Sequence, residues 1–208
     1  MEKKQRGLLD WEKDIKKNEK VLDIGCWSGG KVLRLYNRCS IYGMDINKEN
    51  LDKAPKKIRK RLFLADITKK INLGKKFDWI FLEEVLEHIE KDESALKNIR
   101  KLLKTGGKFV MTTPKSITLF ECWDPAWIRW KLGLGSQHHH YSKKELFRKL
   151  EKYGLKVREF RVSGDIKWLT YRWINIFLKY ILKKNKLLET GRRKGFFNWE
   201  ILAEVKNE

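Results

Sequence analysis

Cysteine is scarce in this chain of 208 residues: Cys26, Cys39 and Cys122 occur, and no two form a C-x-x-C pair. That excludes a disulfide framework and makes a reducing, cytoplasmic setting the expectation. The first residues, Met-Glu-Lys-Lys-Gln-Arg-Gly, lack the apolar core of an export signal, so no export is expected. No stretch reads as a membrane span; the most apolar one, 166–182, is too short and too charged. Internal repeats and low-complexity linkers are also missing, which points to one domain over residues 1–208. Acidic residues are outnumbered, 27 against 48 basic ones, for a net charge of +21. Two readings of that excess stay open. One is a polyanionic partner: RNA, DNA or an anionic membrane face. The other is the Lys/Glu-rich, Gln- and Met-poor composition of heat-adapted proteins. Basic residues are spread along the chain, which favours composition for most of them. The concentration after residue 143 is harder to assign that way.

What is present is organised around residues 20–30, Lys-Val-Leu-Asp-Ile-Gly-Cys-Trp-Ser-Gly-Gly. Val21 to Ile24 is a short apolar run closed by glycine, and Lys31 to Tyr36 resumes with helical spacing. The pattern predicts strand, tight turn, helix. Such a turn lets backbone approach a ligand, and a helix N-terminus favours a negative group. Asp45 lies 20 residues beyond Gly25, at the end of a second apolar run, Ile41 to Asp45. An acid there is placed to accept hydrogen bonds from ribose hydroxyls. The expected ligand is a nucleoside-bearing cofactor. The nicotinamide fingerprint G-x-G-x-x-G is not met.

Strands are expected over about 20–25, 40–45, 61–65, 79–82, 108–113 and 155–162, with a last one over 199–205. Helices are expected over about 30–37 and 47–54, and from Asp92, with Gly106 as the stop of the last. Leu8, Leu9, Trp11 and Ile15 form an amphipathic helix before the first strand. Ser142, with Glu145 three residues on, starts another. Alternating strands and helices imply a doubly wound α/β sheet with ligands at the strands' carboxyl ends. Asp23, Asp45, Asp66, Glu83 and Pro114 all fall at such ends. Residues 115–141 change character: Phe120, Trp123, Trp127 and Trp130 precede His138, His139 and His140. A loop of that length with no strong period is read as functional.

These pieces together resemble the class I S-adenosylmethionine (SAM) methyltransferases. Asp23-x-Gly25-x-x-x-Gly29 is similar to the family's first motif, with Trp27 where most members have glycine. Asp45 matches the ribose-binding acid. Ala65-Asp66-Ile67 matches the adenine-flanking segment, and Phe77 to His88 matches the fourth strand and its E-V-L-E-H continuation. Leu103 to Pro114 matches the helix end and fifth strand. The likeness spans residues 18–164 and looks closest to quinone-pathway, small-molecule enzymes. It implies a Rossmann-like seven-stranded sheet, mostly parallel with an antiparallel last strand, a substrate-cover loop over 115–141 and a helical insertion over 165–195. It also implies that Asp23, Gly25, Cys26, Trp27, Gly29, Asp45, Ile46, Asp66, Ile67 and Glu83 bind SAM.

For acceptor chemistry the candidates are Glu84, Glu87 and His88, which share one face if that stretch is helical, with His140 beside them. They would remove a proton from an acceptor hydroxyl. The E-x-x-E-H pattern with a later His also resembles the metal set of small-RNA 2′-O-methyltransferases. No metal is the leading expectation; Glu84, Glu87, His88 and His140 are the alternative ligands. DNA base methylation is disfavoured, because Glu-Glu-Val-Leu stands where Asn/Asp-Pro-Pro-Tyr/Phe would be needed. On a helix over 166–182, Arg172, Asn175, Lys179 and Lys183 form a narrow polar stripe. Trp168, Trp173 and Phe177 sit on the broad apolar remainder, flanked by Lys184, Lys186, Arg192, Arg193 and Lys194. Three readings stay open there: contact with an anionic membrane face through 166–186, burial in the domain, or a homodimer contact. The expected function is methyl transfer to oxygen of a small or lipid-linked acceptor. The alternatives are a metal-assisted RNA 2′-O-methyltransferase and a non-catalytic membrane or protein adaptor.

Overall fold

The computed structural model describes residues 8–116, 124–180, 182–183 and 195–206. Phe120, Cys122, Trp123, Lys184, Lys186, Arg192, Arg193 and Lys194 lie outside the described residues. So do the side chains of Leu8, Leu9, Trp168, Arg172 and Lys179.

Apolar residues in β1 (Lys20–Ile24), β4 (Phe77–Glu83) and β5 (Leu103–Pro114) must pack on two sides, because a strand alternates its side chains. Ile80 and Leu82 go to one core with Leu22, Phe109, Leu96 and Leu146. Trp79 and Phe81 go to the other with Val21, Val32, Ile58 and Val110. All four of these β4 side chains are fully buried, each contributing about 1.5–3 kcal/mol of transfer free energy. A strand apolar on both faces is the mark of a parallel sheet covered on both sides.

The sheet has seven strands in the order β3-β2-β1-β4-β5-β7-β6. With β2 (Ser40–Asp45) and β3 (Leu62–Leu64), the first five run parallel; β7 (Asn198–Val205) lies antiparallel between β5 and β6 (Leu155–Ser163). That is the expected doubly wound, Rossmann-like class. On one face sit α4 (Asp92–Leu102) and α6 (Lys143–Lys152). On the other sit α1 (Leu8–Lys13) and α2 (Gly30–Leu35). The short α3 (Lys48–Asp52) is capped by Asn47, whose side chain accepts from the Glu49 amide at 2.8 Å. Ser142 caps α6 through the Glu145 amide, 3.2 Å away. Two further helices, α5 (Pro125–Lys131) and α7 (Ile166–Tyr180), fall in the expected cover and insertion.

Two local expectations change. Gly106 is not the stop of α4. The helix ends at Leu102, β5 begins at once, and Gly106 turns within that strand at φ +67°. The register shift between Phe77 and Trp79 absorbs this turn. After β4 no helix places Glu84, Glu87 and His88 on one face. Glu84 adopts φ +53°, and only Leu86–His88 make a 3-10 turn.

Candidate active site

β1 stops at Ile24 because the next residues leave extended conformation: Gly25, Trp27 and Gly29 have φ of +74°, +50° and +78°. Glycine adopts this region without cost, whereas an L side chain costs about 1–2 kcal/mol there. Gly25 is required for a second reason: a Cβ would fall 2.4 Å from Val85 Cγ2. The loop is tied to β2, since the Gly25 and Cys26 amides donate to the Met44 carbonyl at 2.8 and 3.1 Å. Gly29 serves packing, because a Cβ there would meet Ile58 Cδ1 at 2.6 Å. Cys26 turns its thiol onto Gly43 of β2. Burial, with Asp23 and Asp45 nearby, pushes that thiol up to about 12, so Cys26 stays protonated and offers a ligand only its backbone.

Asp45 closes β2 and is 8% exposed. Its two oxygens accept from the Trp27 and Asn47 amides, each at 2.8 Å. Each oxygen keeps a lone pair for a further donor, which suits a vicinal diol. Beyond β3, Asp66 accepts from the Thr68 amide at 2.9 Å and hydroxyl at 2.7 Å. Burial pushes the Asp66 carboxyl up, but these bonds together with the Lys69 and Lys91 charges outweigh it and hold it below its ordinary range. Asn98 fixes the same loop by donating to the Ile67 and Lys69 carbonyls, both at 2.7 Å.

These groups surround a cavity of about 750 Å³ at the carboxyl edge of the sheet. Gly25, Trp27, Asp45, Ile46, Asp66, Ile67, Glu83, Glu84 and His88 all line it. Trp27 is 63% exposed and forms an outer wall, its indole N–H donating to the Asn50 side chain. A smaller adjoining space of about 370 Å³ reaches Asp23, Cys26, Ser28, Lys31, Arg34 and Glu83.

Of these, Lys31 and Arg34 are groups the sequence alone did not single out. Lys31 is nearly buried and faces three carboxylates: Glu83 in direct contact, Asp23 at 3.4 Å and Glu12 at 3.9 Å. Its ammonium also lies 4.1 Å from the Phe81 ring centroid. Burial alone would lower the Lys31 ammonium, yet Asp23 and Glu83 hold it above its ordinary value. Burial pushes the Asp23 carboxyl up to about 6, with Lys31 pulling down and Glu83 pushing further up. Arg34 completes the cluster by gripping both oxygens of Glu12. The available signal was a lysine directly after Gly29-Gly30, at the start of the helix that follows the turn.

At the ends of β4 and β5 the candidates separate. Glu84 borders the cavity and fixes its backbone by donating to the Thr112 carbonyl at 3.1 Å. His88 also borders it. Its Nδ1 lies 2.9 Å from the Gln137 carbonyl, which only accepts, so Nδ1 carries the proton. Glu87 does not face the cavity. It is 1% exposed and accepts from the Thr113 hydroxyl at 3.2 Å. Nor does His140, whose Nε2 lies 3.2 Å from Asp124. The alternative metal set therefore does not assemble as expected: Glu84 stays apart from it and His140 turns to Asp124. Among the described residues, two other groups bring ligand atoms together: Glu87, His88 and His138, and Asp124, His138 and His140.

A family model described as a methyltransferase domain matches residues 2–159. The chain is 33% identical over 108 residues to ubiquinone biosynthesis O-methyltransferase of Pelagibacter ubique, covering 49% of this chain and 45% of that protein. It is 32% identical over 113 residues to N-methyltransferase 4 of Papaver somniferum, covering 49% of this chain and 32% of that protein. The matched region thus spans about a third to a half of these relatives. A solved SAM-dependent methyltransferase of Methanosarcina mazei shares the fold at TM-score 0.66 and 17% identity, over 98% of this chain and all of that one. With the family model covering most of the chain, and the glycine turn, Asp45 and Asp66 gathered at the carboxyl edge of the sheet, this chain belongs to the class I SAM-dependent methyltransferases.

Proposed function

We propose that this chain binds SAM in the cavity and transfers its methyl group to oxygen of a small or lipid-linked acceptor. The donor set fits the cofactor. Asp45 would take the ribose diol, Asp66 a polar edge of the adenine, and Ile46 and Ile67 its faces. The methionine end would meet the Asp23–Lys31–Glu83 cluster, whose mixed charges suit an ammonium and a carboxylate together. Bound there, SAM supplies an electrophilic methyl on a positively charged sulfonium.

One observation carries the choice of oxygen: the fixed tautomer of His88. With Nδ1–H committed to the Gln137 carbonyl, Nε2, 4.0 Å from the Glu87 carboxylate, is the ring atom left to accept a proton. A hydroxyl acceptor must lose a proton, and Nε2 can take it; a neutral amine needs no such base at the moment of attack. Glu84 adds negative charge beside it on the cavity wall.

The lipid-linked reading draws support from α7. β6 ends at Ser163, paired with Asn198, itself paired with Pro114, so α7 starts at the same sheet edge as the cavity. Ile166, Trp173, Ile174 and Phe177 recur at helical spacing and are all exposed. Exposed Lys167 and Lys183 flank them. An apolar helix face with basic neighbours suits the surface of an anionic membrane. Among the described residues no helix is long and apolar enough to cross one.

The test is transfer of labelled methyl from SAM into a cell extract divided into lipid, aqueous small-molecule and RNA fractions. Label should enter the lipid or small-molecule fraction as a base-stable ether. His88→Gln should lower the rate by about 10²–10⁴-fold while S-adenosylhomocysteine affinity stays within about twofold. Label in RNA, or on nitrogen, would overturn the acceptor reading.

A further inference from the structure

We propose that Asp124, His138 and His140 form a binding site for one divalent transition-metal ion of the Zn2+ class. The inference goes beyond the methyl-transfer reading and does not rest on it. Asp124 divides its carboxylate between two tasks. Oδ1 accepts from the Ala126 amide at 2.9 Å and caps α5, while Oδ2 faces inward. There it meets His138 Nε2 at 3.0 Å and His140 Nε2 at 3.2 Å. The two rings stand edge to face, with centroids 5.4 Å apart. His139, between them, points elsewhere and pairs with Glu145 at 3.1 Å.

The spacing is that of a coordination shell. With metal bonds of about 2.0–2.1 Å, neighbouring corners of a tetrahedron lie about 3.3 Å apart. The carboxylate oxygen already stands near that separation from each imidazole nitrogen, and all three ligand atoms lie within 4.8 Å of one another. All three side chains are close to fully buried, at 12%, 3% and 5% exposure. Two nitrogens with one oxygen is a donor set that suits Zn2+, and a three-ligand site leaves a corner for water. Without an ion, a single oxygen has to accept from both ring N–H groups.

The neighbouring group of Glu87, His88 and His138 is the weaker candidate. Glu87 lies 4.0 Å from His88 Nε2, and His88 is half-exposed. Glu87 is also engaged by Thr113. The two groups share His138, so one ion in the Asp124 site uses the imidazole the other would need. Placed there, the ion ties the start of α5 to segment 138–140, and so joins the two ends of the cover to each other. It lies one ring behind the cavity wall, since the His138 ring packs against that of His88 with centroids 4.8 Å apart.

The experiment uses the full chain, stripped with a chelator and titrated with ZnCl2 by calorimetry and with CoCl2 by visible absorption. One equivalent should bind, and Co2+ should give the intense bands of a tetrahedral site. Asp124→Asn keeps a capping oxygen but removes the charge; it and His140→Ala should each weaken binding by more than about 100-fold. Glu87→Gln should change it less than about threefold. Saturating Zn2+ should raise the melting temperature of wild type and leave that of His140→Ala unchanged. Absence of a stoichiometric site would overturn the proposal. So would binding that survives both Asp124→Asn and His140→Ala, or that is lost in Glu87→Gln alone. Circular dichroism of the unheated variants separates lost ligation from lost folding.

Discussion

Asp45 takes its two hydrogen bonds from Trp27 and Asn47, 18 and 2 residues away, and both donors are backbone amides. His88, across the same cavity, is fixed by Gln137, 49 residues away, on the loop that returns from the cover. One half of the site is thus built from turns next to the strands that carry it. The other half exists only after a distant segment has folded back. The local half is specified by backbone conformation and tolerates little change. The distant half is specified by tertiary contact, and its side chains can be altered one at a time.

The largest effect should come from Gly25→Ala in the local half. The new Cβ would clash with Val85 and sit at φ +74°, for a combined cost of about 3 kcal/mol. For a chain of this size that lowers the melting temperature by about 6–12 °C, and cofactor affinity should fall with it. A melt within a few degrees of wild type would show that the turn is softer than its geometry implies.

Next comes pH. Asp23 is raised from its ordinary value to about 6, so the folded chain takes up a proton there that the unfolded chain does not hold. Its contribution to stability is therefore complete below about pH 4 and is lost as pH rises through 6. Thermal melts of wild type and Asp23→Asn should differ increasingly in favour of wild type as pH falls from 7 to 5. A difference constant over that range would place Asp23 in its ordinary range and weaken the case for a tightly balanced Lys31 cluster.

The smallest effect is assigned to Trp27→Gly. Relief of the left-handed backbone and the added freedom of the unfolded chain nearly cancel, leaving a change below about 1 kcal/mol. Stability should barely move, whereas loss of the outer wall and of the Asn50 contact should alter cofactor affinity. A large loss of stability would mean that the indole packs more than its 63% exposure indicates.

The same contrast explains what could be read in the sequence. Val21 to Gly29, Asp45 and Asp66 announce themselves through spacing, because strand ends and tight turns are local events. Asn47 and Ser142 were legible as caps for the same reason. Glu84, Glu87 and His88 would share a face only on a helix, and none forms there, since Glu84 turns left-handed and Glu87 is buried against Thr113. Nothing in the spacing of Asp124 and His138 shows that they meet. Nothing in the local pattern around Lys31 shows that Glu12, Asp23 and Glu83, from three separate segments, close around it.

The central claim is that Asp45 and its backbone donors form the cofactor half of a methyltransferase site. Calorimetric titration of wild type and Asp45→Ala with S-adenosylhomocysteine tests it most directly. Wild type should bind one equivalent with micromolar affinity. The variant should lose about 10- to 100-fold, the value of one or two charge-assisted hydrogen bonds. Equal binding by both would contradict the account, and no binding by wild type would mean that Trp27 closes the cavity to the cofactor.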